Sequence, residues 1–178
     1  MVRHVMATIY TKGDLFNTDG IRAYAFATNA EGTMDTGIAV AIRKKFPGMA
    51  ETLKERAGKG ALALGDVISH KEKDETVFAL VLQEAETKKA TLAALTKAVG
   101  SLVAIAKKAG HERVGMAHPG TGRAALEWPR VKSILTEIGD ETDVALVVFE
   151  QFIRTKKEDA TKDDATKTAA KAEGPTIK

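Results

Sequence analysis

Ala23-Tyr24-Ala25-Phe26-Ala27-Thr28 runs without interruption into Asn29-Ala30-Glu31-Gly32-Thr33-Met34-Asp35-Thr36-Gly37-Ile38-Ala39. The first six residues read as a short buried strand and the next as a glycine-bearing loop. From Asp35 the pattern turns helical, with Ile38, Ile42 and Phe46 at i, i+4 and i+8 on one face. A strand that feeds a helix through glycines brings backbone N–H groups close to a ligand. It also aims the positive end of the helix dipole at the same place. That arrangement suits a phosphate-bearing ligand.

The strand–helix pattern repeats along the chain. Residues 4–10 form a β-branched and apolar run, and residues 35–46 and 49–57 are helix candidates separated by Pro47-Gly48. Residues 61–69 and 76–83 read as two strands joined by a charged loop at 70–75. Residues 87–109 form the longest helix candidate, with Leu92, Leu95, Val99, Leu102 and Ala106 on one face and Gly110 as its stop. Residues 113–118 read as a strand. Residues 128–138 read as a helix with Pro129 in its first turn, and residues 143–150 as a last buried strand. Alternation of this kind predicts an α/β domain with helices on both faces of a mixed sheet. Ligands of such sheets sit beyond the carboxyl ends of the strands. A second glycine loop, Gly120-Thr121-Gly122, also follows a strand and leads towards a helix. The two loops are expected to face one another across one crevice.

Composition limits the alternatives. The 178 residues are 44% hydrophobic and include no cysteine, which excludes disulfides, thiol nucleophiles and thiolate metal sites. No apolar run reaches the length of a membrane span, and the N-terminus reads as a strand and not as a signal peptide. A cytoplasmic location with no membrane partner is the expectation. The net charge is +3. Residues 154–178 hold seven basic and five acidic side chains, so the preceding 153 residues are nearly neutral. They carry no basic stripe with interleaved aromatics, so intrinsic nucleic-acid binding is disfavoured. The tail contains a near-repeat, Lys157-Glu158-Asp159-Ala160-Thr161 and Lys162-Asp163-Asp164-Ala165-Thr166, and Ile177 is its only large apolar residue. Residues 1–153 are expected to form one domain and residues 154–178 a disordered, charged, low-complexity tail. The four histidines are scattered, with no pair at metal-ligand spacing, so neither a metal nor a cofactor is expected.

The motifs in order are Gly13-Asp14-Leu15-Phe16, the loop Asn29 to Ala39 with Arg43-Lys44-Lys45-Phe46-Pro47, and Gly120-Thr121-Gly122-Arg123-Ala124-Ala125-Leu126-Glu127-Trp128 followed by Val131. Their order, spacing and strand–loop context resemble the macrodomain family. The resemblance is to the branch of the terminal ADP-ribose glycohydrolase and the bacterial DNA ADP-ribosyl antitoxin macrodomains. It covers about residues 1–152 and implies a three-layer α/β/α macrodomain that takes ADP-ribose or ADP-ribosylated protein or DNA. It further implies that Asp14, with Leu15, meets the adenine amino group and that Asn29 lies beside the distal ribose. Gly32, Met34, Gly37 and Ile38 would line the distal ribose and first phosphate. Gly120, Thr121, Gly122, Arg123 and Ala124 would cradle the pyrophosphate.

The residue types alone also admit plainer roles: Asp14 as a turn residue, Asn29 closing its own local turn, Met34 and Ile38 packing in the core. Leu126 and Trp128 are expected to pin the last helix beneath the second loop. Hydrolases of this branch use a lysine after a central strand and, in the human type, an aspartate in the second loop. Here Gln83 or Glu84 stands at the first position and Ala124 at the second. An amide is not nucleophilic and a methyl group transfers no proton. Asn29, Glu84, Lys88 and His118 are the remaining candidates for catalysis, and Lys88, with Lys89, also reads as a surface lysine at a helix N-terminus. Arg123 stands where the family has an apolar residue. A well-placed guanidinium there adds about 1.5–3 kcal/mol through a charge-assisted contact, and a solvent-facing arginine is the plainer alternative. The resemblance therefore implies ADP-ribose binding with weak or no hydrolysis. An ADP-ribosyl glycohydrolase with a rearranged site and an inert interaction protein on the same scaffold are the alternatives.

Overall fold

The computed structural model describes residues 7–153. The expected strand at residues 4–6 and the expected disordered tail at 154–178 lie outside them. The chain forms six strands, four helices and one 3-10 turn within the described part. These are β1 (Ile9–Gly13), the 3-10 turn (Leu15–Asn17), β2 (Ala23–Asn29), α1 (Ile38–Lys45), α2 (Pro47–Gly58), β3 (Val67–Glu72), β4 (Glu75–Gln83), α3 (Leu92–Lys108), β5 (Arg113–Ala117), α4 (Trp128–Asp140) and β6 (Ala145–Phe152).

The strands make one sheet in the order β1-β6-β5-β2-β4-β3, with every neighbouring pair parallel except β3–β4. Side chains alternate between sheet faces. On β4, Phe78, Leu80 and Leu82 enter one core with Leu95, Val99 and Leu102 of α3 and Val131 and Leu135 of α4. Val77, Ala79 and Val81 enter the other with Ile42 of α1, Phe46, and Met49 and Leu53 of α2. Both faces are thus covered, and the architecture is the expected three-layer α/β/α arrangement. No helix among the described residues is long and apolar enough to cross a membrane.

Several boundaries differ from the sequence expectation, each for a local reason. The first strand begins at Ile9, where pairing with Val147 of β6 starts. The apolar stretch at residues 61–66 is not a strand. The Ala63 amide hydrogen bonds to the Asp66 carboxylate, and Gly65 adopts φ +86°, which turns the chain. The hairpin that follows is tighter than expected: β3 continues to Glu72 and only Lys73-Asp74 separate it from Glu75. Pro47 does not merely break α1, since it occupies the first turn of α2, where a missing N–H costs nothing. The longest helix starts at Leu92, because the Thr91 hydroxyl caps the Ala94 amide at 3.1 Å. Residues 84–90 are consequently a loop, and the Ala90 amide holds that loop to the Ala124 carbonyl at 3.0 Å. α1 starts at Ile38 behind Gly37, α4 runs on to Asp140, and β6 runs Ala145–Phe152.

Candidate functional site

The five parallel strands end on one edge of the sheet, at Gly13, Phe152, Ala117, Asn29 and Gln83. Beyond those ends lies a cleft of about 610 Å³. Its walls come from both glycine loops: Thr33, Thr36, Gly37 and Ile38 on one side, Gly120, Thr121, Gly122, Arg123 and Ala124 on the other. Asn29, Gln83, Ala117, His118, Phe149 and Glu150 close the remaining sides at or just beyond the strand ends, and Glu86 reaches in from the loop after β4. The start of α1 (Gly37, Ile38, Ala39) opens onto the cleft, and its three basic residues, Arg43, Lys44 and Lys45, lie in the last turn, so the positive dipole end faces the site.

Not every candidate residue lines this cleft. Asp14 is buried at the head of the 3-10 turn, where its carboxylate accepts from the Phe16 amide (3.0 Å) and the Asn17 side-chain amide (3.0 Å). Leu15 is fully buried in the core beneath α1 and α2. Met34 is buried in that same core. Gly32 turns against α2 instead: a Cβ there would lie 2.8 Å from the Leu53 carbonyl oxygen, at φ +69°. Lys88, Lys89 and Glu84 are exposed and outside the cleft lining, and neither lysine belongs to a helix.

Asn29 lines the cleft but is occupied locally. Its side-chain oxygen accepts from the Glu31 and Thr33 amides (3.1 and 3.3 Å), and its Nδ2 donates to the Thr33 hydroxyl (2.7 Å). The residue closes the first loop on itself, the plainer of the two roles its type allows. Gln83 sits opposite Asn29 across β2–β4, past a register shift, and donates its side-chain amide to the Lys88 carbonyl at 2.6 Å. Gly120, at φ +74°, packs so closely on Leu126 that a Cβ would fall 2.7 Å from its Cδ1. At this positive φ any other residue would strain the second loop, and the Leu126 side chain would have to shift as well.

A polar cluster supports the second loop from beneath. The Trp128 ring stacks on His118, with centroids 4.0 Å apart and planes at 16°, and meets Tyr10 edge-on at 6.0 Å. Lys132 Nζ pairs with Glu150 at 3.0 Å and lies 4.4 Å from the centre of the Tyr10 ring. The Lys132 bond, reinforced by Trp128, holds the Glu150 carboxyl below the ordinary glutamate range. Burial pushes the His118 imidazole below its ordinary value. Glu150 opposes that shift and Lys132 adds to it. His118 Nε2 is the one buried side-chain nitrogen or oxygen without a hydrogen-bond partner among the described residues.

Sequence reasoning missed Phe149, Glu150 and Ala117 as wall residues, although the strand-end rule points to them. Glu86 carried no signal, because it is one acidic residue in a charged loop whose path depends on where α3 starts.

No family model matches the chain. Over 140 residues it is 27% identical to human ADP-ribose glycohydrolase OARD1, across 79% of this chain and 89% of that protein. The macrodomain of Mycobacterium tuberculosis DarG matches the structure with a TM-score of 0.72 at 19% identity, covering 83% of this chain and 99% of that one. Thermosipho africanus DarTG, solved in complex with ADP-ribose, matches with a TM-score of 0.67 at 15% identity, covering 80% of this chain and 41% of that one. The layered sheet with its strand-end cleft has the macrodomain fold. The chain's sequence is similar to that of the ADP-ribose glycohydrolase OARD1, and its fold to that of the DarG macrodomains.

Proposed function

We propose that the protein binds ADP-ribose, free or attached to protein or DNA, in the cleft between its two glycine loops, with weak or no hydrolysis. The observation that carries this reading is the convergence of Gly37–Ile38 and Gly120–Ala124 on one cleft at the head of α1. Backbone amides and a helix dipole there favour a diphosphate. The Gln83 amide and Ala124 methyl group occupy cleft positions where an attacking or proton-donating side chain would be needed, which supports binding over turnover. Asp14, Leu15, Gly32 and Met34 then act by shaping the walls, and residues 1–153 constitute the binding domain.

Hydrolysis is the second reading. It is favoured by the similarity to OARD1, a glycohydrolase, and by two further cleft side chains, Glu86 and His118. Turnover assays on ADP-ribosylated protein and ADP-ribosylated DNA separate the two. Saturable ADP-ribose binding without product release supports the first. Release that is lost in His118→Gln or Glu86→Gln, with binding retained, replaces it with the second.

A further inference from the structure

Among the described residues that line the cleft, Arg123 is the single permanent cation. The chain's own carboxylate already neutralises it: Arg123 Nη1 lies 2.7 Å from Glu86 Oε1. The acidic partner is placed by its backbone. The Glu86 amide donates to Glu31 Oε2 at 3.2 Å, which ties it to the first glycine loop, and the Ala90 amide ties the same segment to Ala124 in the second. Glu86 thus stands between the two loops at the mouth of the cleft. The other acid in the lining, Glu150, is matched by Lys132 and does not face this imbalance.

Side-chain exposures of 68% for Arg123 and 32% for Glu86 leave the pair open to exchange. Such pairs are weak and salt-screened. A diphosphate held by the second loop would compete with Glu86 for the guanidinium, and the displaced carboxylate would then face the incoming anion. We propose that Glu86 is a specificity-determining residue of the cleft: it competes with the ligand's diphosphate for Arg123 and so disfavours ligands of higher negative charge. This inference rests on the reading of the cleft as a diphosphate site.

The test is calorimetry with inorganic pyrophosphate and with ADP-ribose on wild type, Glu86→Gln, Arg123→Gln and the double variant, at low and high salt. Thermal melts confirm that each is folded. Glu86→Gln is expected to tighten both ligands by about two- to fivefold at low salt, pyrophosphate more, with the gain shrinking as salt rises. Arg123→Gln is expected to weaken both. The Glu86→Gln gain is expected to be smaller in the Arg123→Gln background, because only direct repulsion remains there. An equal gain in both backgrounds, or no gain in wild type, overturns the competition while leaving ADP-ribose binding standing. Pyrophosphate binding with the expected gain but no ADP-ribose binding keeps the competition and removes the ADP-ribose reading. Failure of folded protein to bind either ligand overturns both.

Discussion

Replacing Gly32 by alanine separates the two roles open to the first loop. Gly32 has φ +69°, a left-handed conformation that costs an alanine about 1–2 kcal/mol. The added Cβ would also lie 2.8 Å from the Leu53 carbonyl oxygen and 3.1 Å from its carbon. Both are backbone atoms of α2, so no side chain can rotate away and the loop or the helix must shift. Overpacking of this kind adds about 1–3 kcal/mol. The expected loss of stability is therefore about 2–5 kcal/mol. Gly110 provides the control. It is also left-handed, at φ +82° just past the end of α3, but a Cβ there meets nothing within 4 Å. Gly110→Ala should show the conformational cost alone, about 1–2 kcal/mol. Urea unfolding of the three proteins measures the difference directly, with m-values checked for constancy. If Gly32→Ala costs no more than Gly110→Ala, the packing of the first loop on α2 is wrong, and with it the conclusion that Gly32 shapes the cleft from behind.

Further consequences follow from the cluster beneath the second loop. Tyr10 hydrogen bonds the Lys132 carbonyl at 2.9 Å and the Thr136 hydroxyl at 2.6 Å, so Tyr10→Phe should cost about 0.5–1.5 kcal/mol in urea unfolding. Trp128→Ala removes the stack on His118 and the edge contact with Tyr10, and a loss of about 2–4 kcal/mol is expected in the same assay. His118 has its folded-state pKa depressed by burial, so its contribution to stability is present above the unfolded value of about 6.5 and is lost as pH falls below it. An NMR titration should place the His118 midpoint below 6.5. The fall in melting temperature between about pH 7.5 and 5.5 should be smaller in His118→Gln than in wild type.

The strand-to-helix unit around Asn29 was legible because its signals are local: apolar continuity in residues 23–28, glycines, then 3.6-residue periodicity. The second loop was legible for the same reason, and strand order placed both at one edge. Boundaries were lost where a side chain or a turn decided them. The Thr91 cap moved the start of α3 by several residues, and the turn at Ala63–Asp66 converted an apolar run into a loop. The placement of site residues was not legible in two cases. Asp14, Gly32 and Met34 sit in recognisable motifs, but their side chains or Cα positions face the chain itself, which spacing cannot reveal. Glu86 reaches the cleft only because residues 84–90 are a loop tied to Ala124, a long-range contact with no sequence signature.

Amide chemical-shift mapping during titration with ADP-ribose shows whether the two glycine loops form one ADP-ribose site. Saturable shifts are expected at Gly37–Ala39 and at Gly120–Ala124 together, by about millimolar ligand or below, with the ADP-ribose recovered intact. Absence of shifts at that concentration in the folded protein, or shifts confined to residues outside the cleft, would contradict it.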